Sequence, residues 1–259
     1  MGIINITPDS FSDGGKYFDG KINYDKILED ALKMEKDGAD FLDIGGESTR
    51  PGSEKISIEE ELERVIPAIE LIRKYSDTPI SIDTYKSEVA EEALKAGVDI
   101  VNDISGFRFD ENMANVTAKH KATCILMHIK GTPRDMQINP EYKNVIEEVY
   151  NYLSDSIKIA ESAGIKQIIT DVGIGFGKNL QNNLELIKNL SEFKKLGYPI
   201  LLGVSRKRFI DNISPASVNE RLEGTIAANV SGILNGANII RVHSVSENKK
   251  AALIADKLK

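Results

Sequence analysis

A short apolar run that ends on a carboxylate and opens into a glycine-rich loop is the segment of this chain best suited to chemistry. It reads QIITDVGIGFGK over residues 167–178, and its carboxylate is Asp171. The β-branched run before Asp171 is typical of a strand buried on both faces, which would place Asp171 where the strand emerges. Glycines that alternate with apolar residues cannot comfortably continue a strand, so we expect the backbone to bend there and approach something closely. A tight turn with a surface aspartate would explain this segment, taken alone, equally well.

The same arrangement recurs along the chain, which favours the functional interpretation. Further apolar runs end on, or are followed by, residues that can bind ligands or carry charge. Together with Asp171, these residues are Asn5, Asp43, Asp83, Asn102, His128, Lys207, Arg241 and His243. If the runs are parallel strands of a barrel, their carboxyl ends meet at one face and these side chains surround one polar pocket. A lone aspartate at a strand end is more often a helix N-cap, and we assign that role to Asp43 and Asp103.

Strand-like runs alternate with segments of helical periodicity eight times along the chain. Strict alternation predicts a parallel sheet with crossover helices, and about 250 residues is the usual size of a (β/α)8 barrel. A glycine turn precedes every second strand, and the residues five positions after its glycine are Asp43, Asn102, Ile169 and Arg241. The layers of a barrel explain this repeat, whereas an open doubly wound sheet tolerates the alternation without explaining it. We therefore predict an α/β fold, a single (β/α)8 TIM-barrel domain over residues 1–259.

Local signals also predict where some of the helices begin. Helical periodicity starts near Tyr142 for the fifth helix and at Leu184 for the sixth. Pro67 falls inside the second helix, where we expect it to kink the helix or to mark its restart.

Composition and charge exclude several classes of protein. With 41% hydrophobic and 28% charged residues the chain resembles an ordinary globular protein. No apolar run reaches the roughly 18 residues of a membrane span, and no basic segment of a secretory signal follows Met1. The net charge of −7 argues against nucleic-acid and membrane partners, because no basic field attracts polyanions. The single cysteine, Cys124, cannot form an internal disulfide, so we expect a cytoplasmic protein.

A cationic cluster in this acidic chain indicates an anion site. The segments after the seventh and eighth strands contain Arg206, Lys207, Arg208, Arg241 and His243. Phosphate binding at these two places is a recurrent use of the barrel fold, although a surface ion-pair network would also account for the cluster. Asn5 would lie nearby, because the first strand neighbours the eighth, and its amide oxygen suits Mg²⁺ bound with a diphosphate. We find no nucleophilic triad, dinucleotide fingerprint or zinc ligand set in the sequence.

These segments resemble those of the dihydropteroate synthase family of the folate pathway, in the same order and over essentially the whole chain. The matching blocks are NITPDSFSDGG, DIGGESTRPG, SIDTYK, NDISG, LMH, DVGIGFGK, SRK and RVH. One departure is Val172, where the family usually has proline, which could alter the turn but leaves Asp171 in place. The chain also starts directly at the first strand, without the short segment that the family often has before it. We therefore expect the bottom of the barrel to be less well plugged.

The resemblance implies a transferase that condenses 6-hydroxymethyl-7,8-dihydropterin diphosphate with 4-aminobenzoate, giving 7,8-dihydropteroate and diphosphate. It also implies Mg²⁺ as the cofactor and a homodimer. The implied catalytic residues are Asp83, Lys207, Arg241 and His243. The implied pterin contacts are Asp83, Asn102, Met127, Asp171 and Lys207. The implied diphosphate contacts are Asn5, Arg241 and His243, with Asn5 also as the metal ligand. The implied aminobenzoate contacts are Phe11, Thr49, Arg50, Pro51 and Arg208.

Two other functions stay open on the sequence alone. A methyltetrahydrofolate-dependent methyltransferase of the same fold would share the pterin pocket but would not need the cations after the last strand. A non-catalytic pterin-binding protein would keep Lys207, Arg241 and His243 without an anion to hold. Turnover of dihydropterin diphosphate with 4-aminobenzoate separates the three functions.

Overall fold

The computed structural model of the chain describes residues 1–7, 15–18 and 21–259. Within these residues eight short strands form one sheet, and each strand pairs in parallel with its neighbours in the chain. The strands are β1 (Gly2–Asn5), β2 (Leu42–Gly45), β3 (Ile80–Asp83), β4 (Ile100–Asp103), β5 (Thr123–Met127), β6 (Ile168–Asp171), β7 (Ile200–Leu202) and β8 (Ile239–Ile240). Most are short runs rich in isoleucine, leucine and valine, as strands buried on both faces require.

Hydrogen bonds between β1 and the segment after β8 close the sheet. Gly2 forms a parallel bridge with Val242. The Val242 N–H donates to the Met1 carbonyl oxygen at 2.9 Å, and the Ile3 N–H donates to the Val242 carbonyl oxygen at 3.1 Å. The predicted (β/α)8 TIM barrel is therefore confirmed, because an open doubly wound sheet would leave these two strands as unpaired edges.

Helices between the strands cover the outside of the barrel. They are α1 (Tyr24–Lys36), α2 (Ile58–Arg73), α3 (Ser87–Lys95), α4 (Met113–Lys119), α5 (Val145–Ser162), α6 (Leu180–Lys188), α7 (Arg208–Asp211), α8 (Leu222–Leu234) and α9 (Val245–Ala255). A 3-10 helix, Leu190–Leu196, follows α6. Among the described residues no helix is both long enough and apolar enough to cross a membrane.

Asparagine caps explain why two helices begin elsewhere than predicted. The side chain of Asn144 accepts a backbone N–H of the first turn of α5, which therefore starts at Val145 rather than near Tyr142. Asn179 caps α6 in the same way, so the prediction of a start at Leu184 was also wrong. Pro67 does not end α2, which continues through it.

Side chains inside the barrel form two layers of opposite character. The lower layer is apolar and consists of Met1, Phe41, Ile100, Ile125, Ile169, Leu201 and Ile239. Because successive strand residues face opposite sides of a sheet, the residue two positions later also faces the interior. Those later positions form the upper layer at the carboxyl ends of the strands. The upper layer includes Asp43, Asn102, Met127, Asp171, Gly203 and Arg241. One alternation thus builds an apolar base and places polar groups above it.

Candidate active site

One arginine holds two carboxylates in the upper layer. Arg241 directly follows β8, and its Nε donates to Asp43 Oδ2 at 2.5 Å while its Nη2 donates to Asp83 Oδ2 at 2.7 Å. Asn102 completes the group, since its Nδ2 lies 3.3 Å and 3.4 Å from the two carboxylate oxygens of Asp43. Asn102 is also the register partner of Asp83 across the sheet. A single guanidinium therefore links β2 and β3 to the segment after β8.

The prediction that Asp43 is a helix N-cap is wrong. Asp43 lies within β2, so its side chain faces the barrel interior, where it is fully buried and pairs with Arg241. Asp103 caps a turn rather than a helix. Its carboxylate accepts the N–H of Ser105 at 2.7 Å and the N–H of Phe107 at 3.1 Å. Asp43 therefore belongs to the site, whereas Asp103 supports the turn after β4.

Asp83 can hold a proton near neutral pH. Burial raises the pKa of Asp83 to about 7, since Arg241 opposes this rise only in part and Asp43 adds to it. Its Oδ1 is buried and accepts no hydrogen bond from the described residues. A buried acceptor without a donor costs on the order of 1–3 kcal/mol, so a ligand N–H that reaches this oxygen would bind favourably.

Asp171 and Lys207 face the same open position in the upper layer. A Cβ built on Gly203 would lie 3.8 Å from Asp171 Oδ2 and 3.8 Å from Lys207 Nζ, so the glycine leaves space beside both groups. Burial raises the pKa of Asp171, and Lys207 lowers it in part. Burial lowers the pKa of Lys207 to about 8, and Asp171 opposes that change. An acceptor beside a donor suits the edge of a heterocycle that carries amino and carbonyl groups.

The glycine loop after β6 presses against the end of β5. Gly173 has a φ of +67°, and a Cβ there would lie 1.9 Å from the carbonyl oxygen of His128, so a side chain cannot fit. The Gly173 N–H donates to Asp171 Oδ1 at 2.7 Å. The close backbone approach predicted from the glycines is confirmed. Val172, the departure from the family pattern, is fully buried in the hydrophobic core.

Apolar side chains form a wall next to the Asp171 and Lys207 pair. Met127 is register partner to Asp171, and it packs in a buried cluster against which Phe176 also lies. Lys207 Nζ lies 4.7 Å from the centroid of the Phe176 ring and donates to the Ile174 carbonyl oxygen at 2.5 Å. This part of the site thus combines apolar side chains with one acceptor and one donor, as aromatic heterocycle sites commonly do.

Cations gather around His243. Ser205 Oγ lies 2.9 Å from His243 Nδ1, and the His243 N–H donates to the same oxygen at 3.2 Å. Burial lowers the pKa of His243 well below its usual range, and the charges of Arg206, Arg241 and Arg50 lower it further. His243 is therefore neutral at pH 7 in the free protein. A bound anion would meet the guanidinium groups and oppose this lowering of the pKa.

Asn5 ends β1, and its register partner is Gly45 at the end of β2. Its Oδ1 is 3.6 Å from the position that a Cβ on Gly45 would take, and the Cβ of Asp83 is 3.5 Å from the same position. The amide of Asn5 therefore approaches the Asp83 side of the upper layer. His128, also predicted to face the pocket, is buried and lies 2.8 Å from Lys178 Nζ through its Nδ1.

The loop after β2 is held firmly at its base. Lys86 Nζ donates to Glu47 Oε2 at 2.6 Å, to Glu61 Oε2 at 2.7 Å and to the Ile56 carbonyl oxygen at 2.8 Å. Nearer the tip, the Gly52 N–H donates to the Pro133 carbonyl oxygen at 3.0 Å. This loop is therefore joined to the loops after β3 and β5.

The residues predicted for aminobenzoate lie in exposed or half-buried places. Thr49 and Arg50 are half-buried, Pro51 is exposed, and Arg208 is exposed on α7. Phe11 lies outside the described residues. Of this set, Arg50 approaches the cationic region, because its charge acts on His243.

Comparison with known proteins agrees with this geometry. The family described as pterin binding enzyme matches residues 1–243. A dihydropteroate synthase from Clostridium beijerinckii is 51% identical over 259 residues, which are 99% of this chain and 92% of that protein. The chain belongs to the dihydropteroate synthase family.

Solved structures of dihydropteroate synthases share the fold. The Yersinia pestis enzyme in a sulfonamide drug complex has a TM-score of 0.95 at 38% identity, covering 100% of this chain and 93% of that one. The Clostridium difficile enzyme in the presence of pteroic acid has a TM-score of 0.91 at 48% identity, covering 100% and 95%.

From the sequence, Asp43 was assigned a wrong role, and Gly203 and Lys178 were not singled out. Asp43 had a signal, since it occupies the same place in the glycine repeat as Asn102 and Arg241. Gly203 had a weaker one, because a glycine at a strand end often marks a close approach. Lys178 had no such signal, because the sequence around a lysine that follows a glycine loop does not show whether its amine is buried or solvated.

Proposed function

We propose that this chain is itself a dihydropteroate synthase, which condenses 6-hydroxymethyl-7,8-dihydropterin diphosphate with 4-aminobenzoate to give 7,8-dihydropteroate and diphosphate. The observation that carries the proposal is the acceptor and donor pair of Asp171 and Lys207 beside Gly203. The cations around His243 lie at the neighbouring strand ends. Pteroic acid, present with the Clostridium difficile relative, joins a pterin to 4-aminobenzoate and so resembles the product of this reaction.

The pterin would bind by its amino-pyrimidinone edge. Asp171 would accept from the ring N–H and the 2-amino group, and Lys207 would donate to an acceptor of the ring system. Asp83, through its unpartnered Oδ1, and Asn102 would meet other polar atoms of the ring. Met127 would cover part of its apolar surface.

The diphosphate would bind beside Arg241, His243 and Asn5. The ion pairs of Arg241 with the two aspartates hold its guanidinium in the upper layer. There it would lie between the pterin and the diphosphate. The carboxylates also neutralise part of its charge, so the other cations near His243 contribute to anion binding.

The described residues fit a Mg²⁺ ion that is held mainly by its substrate. Mg²⁺ keeps several waters and often binds through one or two protein oxygens together with phosphates. In the described part of the chain no group of three or more His, Cys, Asp or Glu residues could form an all-protein site. Asn5 Oδ1 is the oxygen that would hold the ion. When bound, Mg²⁺ would neutralise charge on the leaving diphosphate.

Bond cleavage before bond formation suits these groups. The C–O bond from the pterin methylene to the diphosphate breaks, and the electron pair leaves with the diphosphate. Arg241 and His243 stabilise that developing charge, and the electron-rich dihydropterin stabilises the cation. The aminobenzoate nitrogen then forms the C–N bond and releases a proton. Since the arylamine is weakly basic and already carries its lone pair, no strong general base is required.

Aminobenzoate would bind above the pterin methylene, between the loop after β2 and α7. Arg50 and Arg208 provide cations for its carboxylate, and Thr49 and Pro51 border the ring. A contact of Phe11 with aminobenzoate stays a prediction from the family resemblance.

A homodimer is proposed from the apolar surface of the last two helices. α8 packs against α9. Exposed apolar side chains on and just after these helices are Leu234, Leu253, Ile254 and Leu258. A second copy of this chain would cover them, and sedimentation of Leu253→Lys would then show a monomer. A cytoplasmic location is likewise proposed, and the buried free thiol of Cys124 is compatible with it.

Turnover with the two substrates tests the proposed function. The purified protein with Mg²⁺ should release diphosphate and form dihydropteroate only when both substrates are present. Binding of the pterin without product would favour a non-catalytic binding protein. Transfer of a methyl group from methyltetrahydrofolate would favour the methyltransferase.

A further inference from the structure

One buried lysine beside the pterin site has no part in the function proposed above. Lys178 is 2% exposed. Its Nζ lies 2.8 Å from His128 Nδ1, 2.8 Å from the Gly173 carbonyl oxygen and 3.0 Å from the Phe176 carbonyl oxygen. An ammonium has three donors, and these three acceptors match it when the proton of His128 is on Nε2. Lys178 therefore joins the loop after β6 to the end of β5.

Space filling alone does not explain a lysine at this place. Burial lowers the pKa of Lys178 well below its usual range, and Asp171 opposes that change. Burial and the charge of Lys178 also lower the pKa of His128, so the imidazole is neutral. Burying an amine is unfavourable unless its hydrogen bonds are made, and an apolar side chain would fill the same space at less cost. The loop carbonyl groups that the lysine binds account for its presence.

The groups that Lys178 binds are direct neighbours of pterin-site side chains. The N–H of Gly173 donates to Asp171 Oδ1 at 2.7 Å. The ring of Phe176 lies 4.7 Å from Lys207 Nζ. The backbone N–H of His128 donates to the Asp171 carbonyl oxygen at 3.0 Å. Each partner of Lys178 thus contacts either Asp171 or Lys207.

We propose that Lys178 is a positioning residue that sets Asp171 and Lys207 for pterin recognition. It acts through the loop of residues 173–176 and does not touch the pterin. The inference rests on the proposed function, because it requires that this pair binds a pterin edge. Without Lys178, the carbonyl groups of the loop would lose their donors, the loop would leave the end of β5, and the Asp171 carboxylate would lose its fixed direction.

In its ammonium form, Lys178 supports the same role through its charge. It lowers the pKa of Asp171, together with Lys207, Arg241 and the N–H of Gly173, against the effect of burial. His128, from the end of β5, is the titratable group on the other side of the loop and is neutral. Removing Lys178 would therefore raise the pKa of Asp171. Pterin binding, which needs the carboxylate, would then fail at a higher pH as the solution is acidified.

The test compares Lys178→Met with Lys166→Met. Lys166 is exposed and precedes β6 at the opposite end of the strand that carries Asp171, so it is a matched control. Wild-type turnover is measured first, because its absence would contradict the proposed function and not the role of Lys178. In Lys178→Met we expect the Kd for hydroxymethylpterin and the KM for the pterin diphosphate to rise about tenfold or more, the factor that corresponds to 1.4 kcal/mol. The KM for aminobenzoate should stay within about twofold.

The acid limb of pterin binding is the pH range in which pterin affinity is lost on acidification. This limb should move to higher pH in Lys178→Met and stay in place in Lys166→Met. Lys178→Gln, which keeps two donors without the charge, should show the shifted limb with a smaller loss of affinity. Wild-type pterin affinity and an unchanged limb in both Lys178 variants would overturn the proposal. Failure of both variants to fold, judged by circular dichroism, would also overturn it, because Lys178 would then serve the stability of the barrel.

Discussion

The upper layer of the barrel and the loop after β2 hold their charged side chains in opposite ways. In the upper layer Asp43, Asp83 and Arg241 lie on or directly after strands and bind one another in the interior. In the loop the strong contacts are at the base, around Lys86, while Pro51 at the tip is exposed. Strand geometry thus builds the upper layer before any ligand arrives. The tip of the loop, proposed above to border aminobenzoate, would gain burial when a ligand covers it.

The largest effect is expected from Arg241→Ala, which breaks the upper layer. The substitution leaves buried carboxylates without their cation, so the free energy of unfolding should fall by about 3–5 kcal/mol. Urea denaturation measures this loss. Arg208→Ala, which removes an exposed side chain of α7, is the control and should change stability by at most about 0.5 kcal/mol. Equal stability of the two variants would show that the ion pairs of Arg241 do not hold the layer together.

Asp171→Asn tests the acceptor of the pterin side. One carboxylate oxygen is replaced by an amide donor that faces the donors of the pterin, so binding should weaken by ~1.5 kcal/mol or more. Calorimetry with hydroxymethylpterin measures it, with the exposed residue change Asp256→Asn as the control. An unchanged affinity would remove Asp171 from the pocket.

His243→Ala distinguishes the diphosphate from the pterin. Affinity for the pterin diphosphate should fall about tenfold, a loss of about 1.4 kcal/mol, while affinity for the free hydroxymethylpterin stays unchanged. Arg241→Ala should act in the same direction. Its ion pairs with Asp43 and Asp83, however, add a loss of stability that His243→Ala avoids. Equal losses for both ligands would mean that the cations around His243 are structural.

The lowered pKa of Lys207 predicts that kcat/KM for the pterin diphosphate falls at alkaline pH. Its pKa in the free protein is lowered by burial to about 8, so its charge is present below that pH and is lost as the pH rises through it. Since kcat/KM reports groups of the free enzyme, kcat/KM for the pterin diphosphate should decline above about pH 8. Lys207→Met should be less active and lack this limb. A limb that persists in Lys207→Met would assign it to another group.

The smallest effect is expected for the order in which diphosphate and aminobenzoate bind, which tests the loop after β2. Within residues 47–55, the exposed tip around Pro51 should settle over the site only when Mg²⁺ and diphosphate provide negative oxygens for donors such as Arg50. Aminobenzoate should therefore bind second, and linkage requires its affinity to rise with Mg²⁺ diphosphate present. Calorimetry is done without diphosphate, with it, and with pterin added, using Pro51→Ala as the loop variant. Tight binding to the free enzyme, with no gain from diphosphate, would show a preformed aminobenzoate slot.

Much of the fold and of the polar upper layer could be predicted because local patterns encode them directly. Apolar runs between helical segments define the strands, and polar residues such as Asp83, Asn102 and Asp171 lie at or next to their last positions. A parallel barrel then brings all strand ends to one face. Because side chains alternate between the two faces of a strand, the residue two positions after a lower-layer residue also faces the barrel interior, in the upper layer. The aminobenzoate residues, in contrast, were identified only through the family resemblance, since exposed loop residues have no periodic signal.

By itself, the sequence determined the barrel, its polar face and the types of residue available there, because these follow from short-range periodicity and chain order. Only the tertiary structure decided which groups pair. Asp43 turned from an expected cap into a partner of Arg241, 198 residues away in the chain. Lys178 became a buried donor to His128 from a different strand end. The physical reason is that burial and charge pairing depend on neighbours brought together by closure of the barrel, and a chain segment read alone does not contain those neighbours.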